Sequence, residues 1–248
     1  MRLVMAALTT ATAVVVSGAA LLGVEVLVAR NGPRPPAGPP VPADSPAGPP
    51  GTPVDTVVWL GDSTAAGLGA STEAHSLPEQ VAALLGGPVR LTVLARSGDR
   101  VADVLHDQVP RLAAIHPSVV FISVGANDTT HLTSRGSFRR DYAKVLAGLP
   151  SGVARVVLLG VPDMGAPPRL AQPLRAVAGW RGRALDDDVR HLASRAPRAI
   201  YVDIAGRTGP AFRKEPGRYF STDHFHPNDA GYTLWAQAVA VTIAPSHA

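Results

Sequence analysis

The sequence predicts an α/β domain, a parallel sheet with helices packed on both faces. Three observations predict it. Short runs rich in Val, Ile and Leu alternate about five times with amphipathic stretches. The runs are nearly free of polar residues, as strands buried on both faces are. Gly, Asp, Asn and Ser recur just after the runs, where the turns of such a sheet lie.

The apolar runs are 56–60, 89–95, 119–124, 155–160 and 200–204, and the helical patterns fall near 76–86, 100–115, 137–148, 172–196 and 228–243. Strand and helix in alternation imply right-handed crossovers between parallel neighbours. No repeat with a period of 20 to 50 residues is evident, so 54–248 reads as one domain.

Two segments precede that domain. Residues 1–30 read as a signal-anchor or signal peptide, because Leu3 to Val24 is an uncharged stretch of 22 residues. As a helix it would span a hydrocarbon core of roughly 30 Å. Ser17-Gly18-Ala19 offers a small-residue cleavage site, but cutting there would leave a strongly apolar new terminus, which favours an uncleaved anchor. Residues 31–53 are dominated by Pro and Gly and read as an extended linker without helix or sheet, holding the domain away from a membrane. The expected location is therefore extracytoplasmic, either membrane-anchored by the N-terminal helix or secreted.

Composition narrows the function. The chain of 248 residues has no Cys, which removes disulfides, thiolate metal sites, a Cys nucleophile and a lipidated Cys anchor. The formal charge of +4 comes mostly from scattered Arg. Arg135, Arg139, Arg140 and Lys144 cluster, but Asp141 interrupts them, so a solvated helix face is expected and no nucleic-acid partner.

Ligands of an open parallel sheet bind at the C-terminal ends of its strands. There the sequence places Gly61-Asp62-Ser63-Thr64, Ser97-Gly98-Asp99, Gly125-Ala126-Asn127-Asp128 and Val161-Pro162-Asp163-Met164, and ahead of the last helix Asp223-His224-Phe225-His226-Pro227-Asn228. Acyl transfer needs a nucleophile, a base in reach, a carboxylate that orients the base, and donors for an oxyanion. Ser63, at the end of a strand, is the candidate nucleophile, and its own N–H a candidate donor. Gly98 can bring a second N–H close to a ligand, since it lacks a Cβ, and the Asn127 amide can supply a third donor. His226 is the candidate base. Asp223, three residues ahead, can fold back to the imidazole. His224 is a rival in the same loop, better suited to lining a pocket or capping. Asp62 and Asp128 fit loop hydrogen bonds, and Asn228 fits the N-cap of the last helix. The segment from Met164 to Trp180 reads equally as a border of a substrate cleft or as a plain long loop. The Gly-rich segments around Ser63 match neither a phosphate loop nor a dinucleotide fingerprint.

These blocks, in this order, resemble those of the SGNH hydrolases, also called the GDSL family. The resemblance spans essentially all of 54–244, and Thr64 departs from it where the family name has Leu. It implies a three-layer α/β/α sandwich with a five-stranded parallel sheet of flavodoxin-like type. It also implies a Ser63–His226–Asp223 triad and an oxyanion hole of Ser63, Gly98 and Asn127, with no metal or other cofactor. The expected activity is hydrolysis of a small-molecule, lipid or carbohydrate ester. Transfer of the acyl group to a sugar or lipid hydroxyl at the cell surface, and a tethered binding module without activity, remain as alternatives. Oligomeric state and substrate identity have no sequence signal.

Overall fold

The computed structural model describes Glu25, Gly32 and residues 44–244. The expected N-terminal helix thus lies outside the described residues except at Glu25, and among the described residues no helix is long and apolar enough to cross a membrane. The Glu25 carboxylate accepts the Leu174 N–H at 2.9 Å, and Gly32 lies against the Arg169 guanidinium, so the chain ahead of the domain touches it at both described points.

Six strands form one sheet: β1 (Ser45–Ala47), β2 (Asp55–Gly61), β3 (Val89–Val93), β4 (Val119–Ser123), β5 (Arg155–Leu159) and β6 (Ala199–Val202), in the order β1-β3-β2-β4-β5-β6. The last five are parallel, as the alternation predicts. The sixth corrects the sequence reading. Ser45–Ala47, expected to be structureless linker, pairs antiparallel with β3 through Ser45↔Leu91, Pro46↔Arg90 and Ala47↔Val89. An edge strand leaves half its backbone groups unpaired, so it can accept a Pro that an inner strand could not.

The principal helices are α1 (Leu77–Leu84), α2 (101–115), α3 (Ala126–Thr130), α4 (Arg135–Ala147), α5 (Leu174–Ala193), α6 (Ile204–Lys214) and α7 (Asp229–Ile243). Successive strand residues point to opposite faces, and the core divides accordingly. Val58, Leu60, Val120, Ile122, Val156 and Leu158 pack with α2, α4 and α5. Val57, Trp59, Phe121, Val157 and Leu159 pack with α1, α6 and α7. On that second face the Trp59 and Phe121 rings stack at 4.5 Å. This is a three-layer α/β/α sandwich.

Two helices depart from the sequence expectation. The stretch 101–115 is not a regular helix. Val104–Gln108 is a π-helical turn, in which the Val109 N–H reaches Val104 O, and Val109–Arg111 is 3₁₀. Pro110 accounts for the distortion, because it has no N–H to close a regular turn on His106. Helix α6 was not expected, since Gly206, Gly209 and Pro210 give it a weak intrinsic propensity. It forms because Asp203 caps it through the Gly206 N–H at 2.7 Å and because Ile204, Thr208 and Phe212 are buried.

The topology locates the site. From β2 the chain goes to β3 on one side and returns to β4 on the other. The carboxyl end of β2 is therefore the switch point of the sheet, where open α/β sheets hold their ligands.

Candidate active site

Strand β2 ends in Gly61, with φ +141°. A Cβ there would stand 1.9 Å from the Ser123 carbonyl oxygen of β4, so only glycine fits. The chain then turns through Asp62, whose N–H donates to Ser123 O at 3.0 Å, and reaches Ser63. Asp62 Oδ1 accepts the Thr64 N–H at 3.0 Å and the Thr64 hydroxyl at 2.9 Å, and that hydroxyl also meets Ser123 Oγ at 2.9 Å. Burial pushes the Asp62 carboxyl up to about 6, against the lowering effect of the Thr64 bonds. Asp62 thus holds the turn, as its sequence position suggested. Thr64, the departure from the family pattern, is buried and shares in that clamp.

The partner of Ser63 comes from the loop ahead of α7. His226 Nε2 lies 2.9 Å from Ser63 Oγ, and His226 Nδ1 lies 2.6 Å from Asp223 Oδ2. A carboxylate can only accept, so Nδ1 carries the proton and Nε2 is left to accept from the serine hydroxyl. The other carboxylate oxygen, Oδ1, accepts from Ser221 Oγ at 2.6 Å and from the Phe225 and His226 N–H groups at 3.0 Å each. Asp223 is fully buried. Burial alone would raise its pKa, but the bonds from His226 and Ser221 and the charge of His226 outweigh it and hold the carboxyl well below the usual carboxylate range. Arg169 Nη1 stands 3.8 Å from the oxygen that receives His226.

The loop itself is braced. Ser221 N–H donates to His226 O at 2.8 Å, and Asn228 caps α7 through the Gly231 N–H at 3.0 Å, as the sequence predicts. Gly69 packs so closely on Pro227 that a Cβ would stand 2.3 Å from its carbonyl oxygen. His224 is exposed and has a left-handed φ of +58°. It does not line the recess beside Ser63, where pocket lining was one expectation for it, and its backbone carbonyl accepts the Arg169 N–H at 3.1 Å.

The three candidate oxyanion donors come from three different loops. Neither the Ser63 N–H nor the Gly98 N–H has an acceptor among the described residues. Gly98 has φ +94° and open space where a Cβ would be. Asn127, in the first turn of α3, donates through Nδ2 to Asp99 O at 2.9 Å. Asp128 stays structural, accepting the Val101 N–H at 3.0 Å. Among the described residues, no group of three His, Asp or Glu side chains converges as a metal site would.

The GDSL-like lipase/acylhydrolase family model matches residues 59–234, from β2 into α7. The chain belongs to this family. A curated relative, a GDSL-like esterase of Mycobacterium tuberculosis, is 32% identical over 194 residues, which cover 74% of this chain. The chain spans about 60% of the length of that relative. Among solved structures, LAE5, an alpha/beta hydrolase enzyme from the metagenome of Lake Arreo, superposes with a TM-score of 0.63 at 20% identity over 77% of this chain and 95% of its own. A lipolytic G-D-S-L family protein of Veillonella parvula gives a TM-score of 0.62 at 17% identity, over 77% and 98%. An acetyl xylan esterase of Geobacillus stearothermophilus gives 0.60 at 18%, over 80% and 96%. At these identities the likeness is one of fold.

Beside Ser63 and His226, this GDSL-family domain has a recess of about 40 Å³. Its walls are mostly apolar, with Met164, Ala166, Pro167, Phe212, Phe225 and Trp235 prominent. The segment after β5, open in the sequence between cleft border and plain loop, supplies three of these. Phe212 belongs to α6, the helix the sequence did not announce. Gln108 and Arg169 are further residues at the site that sequence reading passed over. Gln108 follows His106 and Asp107 in a polar stretch that looks like a solvated face, and Arg169 lies in the Pro-rich loop after β5, so only the tertiary fold shows that either turns inward.

Proposed function

We propose that this GDSL-family protein is a serine esterase that hydrolyses carboxylic esters through a covalent acyl-enzyme on Ser63. The observation that carries the reading is the hydrogen-bonded chain from Ser63 Oγ to His226 Nε2 at 2.9 Å and from His226 Nδ1 to Asp223 Oδ2 at 2.6 Å. His226 takes the hydroxyl proton as Ser63 Oγ bonds to the ester carbonyl carbon. Asp223 stabilises the imidazolium. The Ser63 and Gly98 N–H groups and the Asn127 amide receive the oxyanion. His226 then gives its proton to the departing alcohol. Water, activated by the same imidazole, releases the acid and restores Ser63.

The recess supports a short apolar acyl group. The recess, of about 40 Å³, is small and is walled by Met164, Phe212, Phe225 and Trp235, which favours a short acyl group over a long chain. The uncharged stretch from Leu3 to Val24 and the Pro- and Gly-rich stretch after it support action outside the cytoplasm, on a membrane tether or after secretion. The substrate would be a small-molecule, lipid or carbohydrate ester.

Steady-state hydrolysis of aryl esters that differ only in acyl length tests the reading. Turnover is expected to be highest on short acyl chains and to fall at least tenfold by about eight carbons. A maximum at long chains would contradict the acyl assignment, and no hydrolysis at any length would contradict the esterase.

A further inference from the structure

We infer that Gln108 is a positioning residue that sets the oxyanion donors relative to Ser63; the inference rests on the esterase reading above. Gln108 is fully buried. Its Oε1 accepts the Gly61 N–H at 2.8 Å, and its Nε2 donates to Gly61 O at 2.8 Å and to Asp99 Oδ2 at 2.8 Å. Gly61 lies beyond the last β2–β3 partner pair, Trp59↔Val93, so no β3 residue faces it. The Arg96 N–H, just past β3, donates to Gly61 O at 3.2 Å, and the side-chain amide of Gln108 holds both the N–H and the C=O of this residue, two before Ser63.

The same amide reaches the second donor loop. Asp99 directly follows Gly98, and its carbonyl accepts Asn127 Nδ2 at 2.9 Å. One buried side chain therefore ties the Ser63 turn to the Gly98 loop directly, and to Asn127 through Asp99. The three donors share no covalent frame shorter than the strands and crossovers between them. Oxyanion donors work only when held within a fraction of an ångström of the productive geometry. The π-helical turn Val104–Gln108 supports the inference, since it places Gln108 at its end and such turns are frequent at functional sites. Gln108 touches no reacting atom, so its role is to fix the donors.

The test compares Gln108→Met with Val104→Ala, the latter a buried core residue on the same turn but outside the clamp. For Gln108→Met, kcat on the preferred aryl ester is expected to fall roughly 10- to 100-fold with KM within about threefold. Affinity for a trifluoromethyl ketone analogue, which forms an oxyanion on Ser63, should fall by the same factor as kcat/KM. Val104→Ala should lower the unfolding temperature yet keep kcat within about twofold. Asp99→Ala, which removes the Gln108–Asp99 bond and the Arg96–Asp99 ion pair but keeps both Gln108–Gly61 bonds, should show the Gln108→Met pattern more weakly, and the double variant should be no worse than Gln108→Met. If Gln108→Met does not fold, Asp99→Ala decides. Wild-type kcat in the folded clamp variants, or losses that Val104→Ala matches, would overturn the inference. Failure of the wild type itself to turn over esters would instead overturn the esterase reading.

Discussion

Replacing Ser63 by alanine is expected to lower kcat by about 10⁶-fold while leaving the fold intact. The hydroxyl makes one hydrogen bond, to His226 Nε2, and a single bond at the edge of a recess contributes only about 1 kcal/mol. The Ser63 turn itself does not depend on that hydroxyl. It is held by Gly61, by the Asp62 bonds to Thr64 and by the Asp62 N–H on Ser123 O. Circular dichroism and the unfolding temperature should therefore match the wild type, and a stopped aryl-ester assay should show the loss. Residual rate above water, of order 10³, would come from the oxyanion donors and binding alone.

The second large effect belongs to Asp223→Asn, expected to cost about 10⁴-fold in kcat. The amide can still offer an oxygen to Ser221 and to the two loop N–H groups. Its NH₂ then faces His226 Nδ1 and forces the ring into the opposite tautomer, with Nε2 protonated and unable to accept from Ser63. The same variant has a pH signature in stability. The Asp223 carboxyl titrates lower in the folded protein than in the unfolded chain, against the effect of its burial, because His226 and Ser221 bond the ionised form. Its contribution is fully present above the unfolded value of 3.8 and is lost as pH falls through the lower folded value. Urea unfolding should thus find Asp223→Asn less stable than wild type at pH 7, with the gap closing in acid.

The five parallel strands were legible because both faces of each are buried, which leaves near-continuous apolar runs such as Val57–Leu60 and Val119–Ile122. The residues now found together were legible for a different reason. Each lies at a strand end or helix start, where polar residues that merely turn the chain need not include a serine, a histidine and an aspartate. What stayed hidden depends on contacts distant in sequence. Pro46 argues against a strand until Arg90 is placed beside it. Gly206, Gly209 and Pro210 argue against α6 until the Asp203 cap and the burial of Phe212 are counted. Gln108 lies in an ordinary polar stretch, and its bonds to Gly61 span 47 residues. The membrane-anchor expectation lies in residues outside those described, apart from Glu25.

The central claim is that Ser63 is a nucleophile activated by His226. Its most direct test is to label the full-length protein with a fluorophosphonate, which phosphonylates an activated serine, and to map the adduct by peptide mass. A single adduct on Ser63, formed with loss of esterase activity and absent in His226→Ala, is the result predicted. Full esterase activity after saturating treatment with no adduct on Ser63, or an activity-abolishing adduct on another residue, would contradict it.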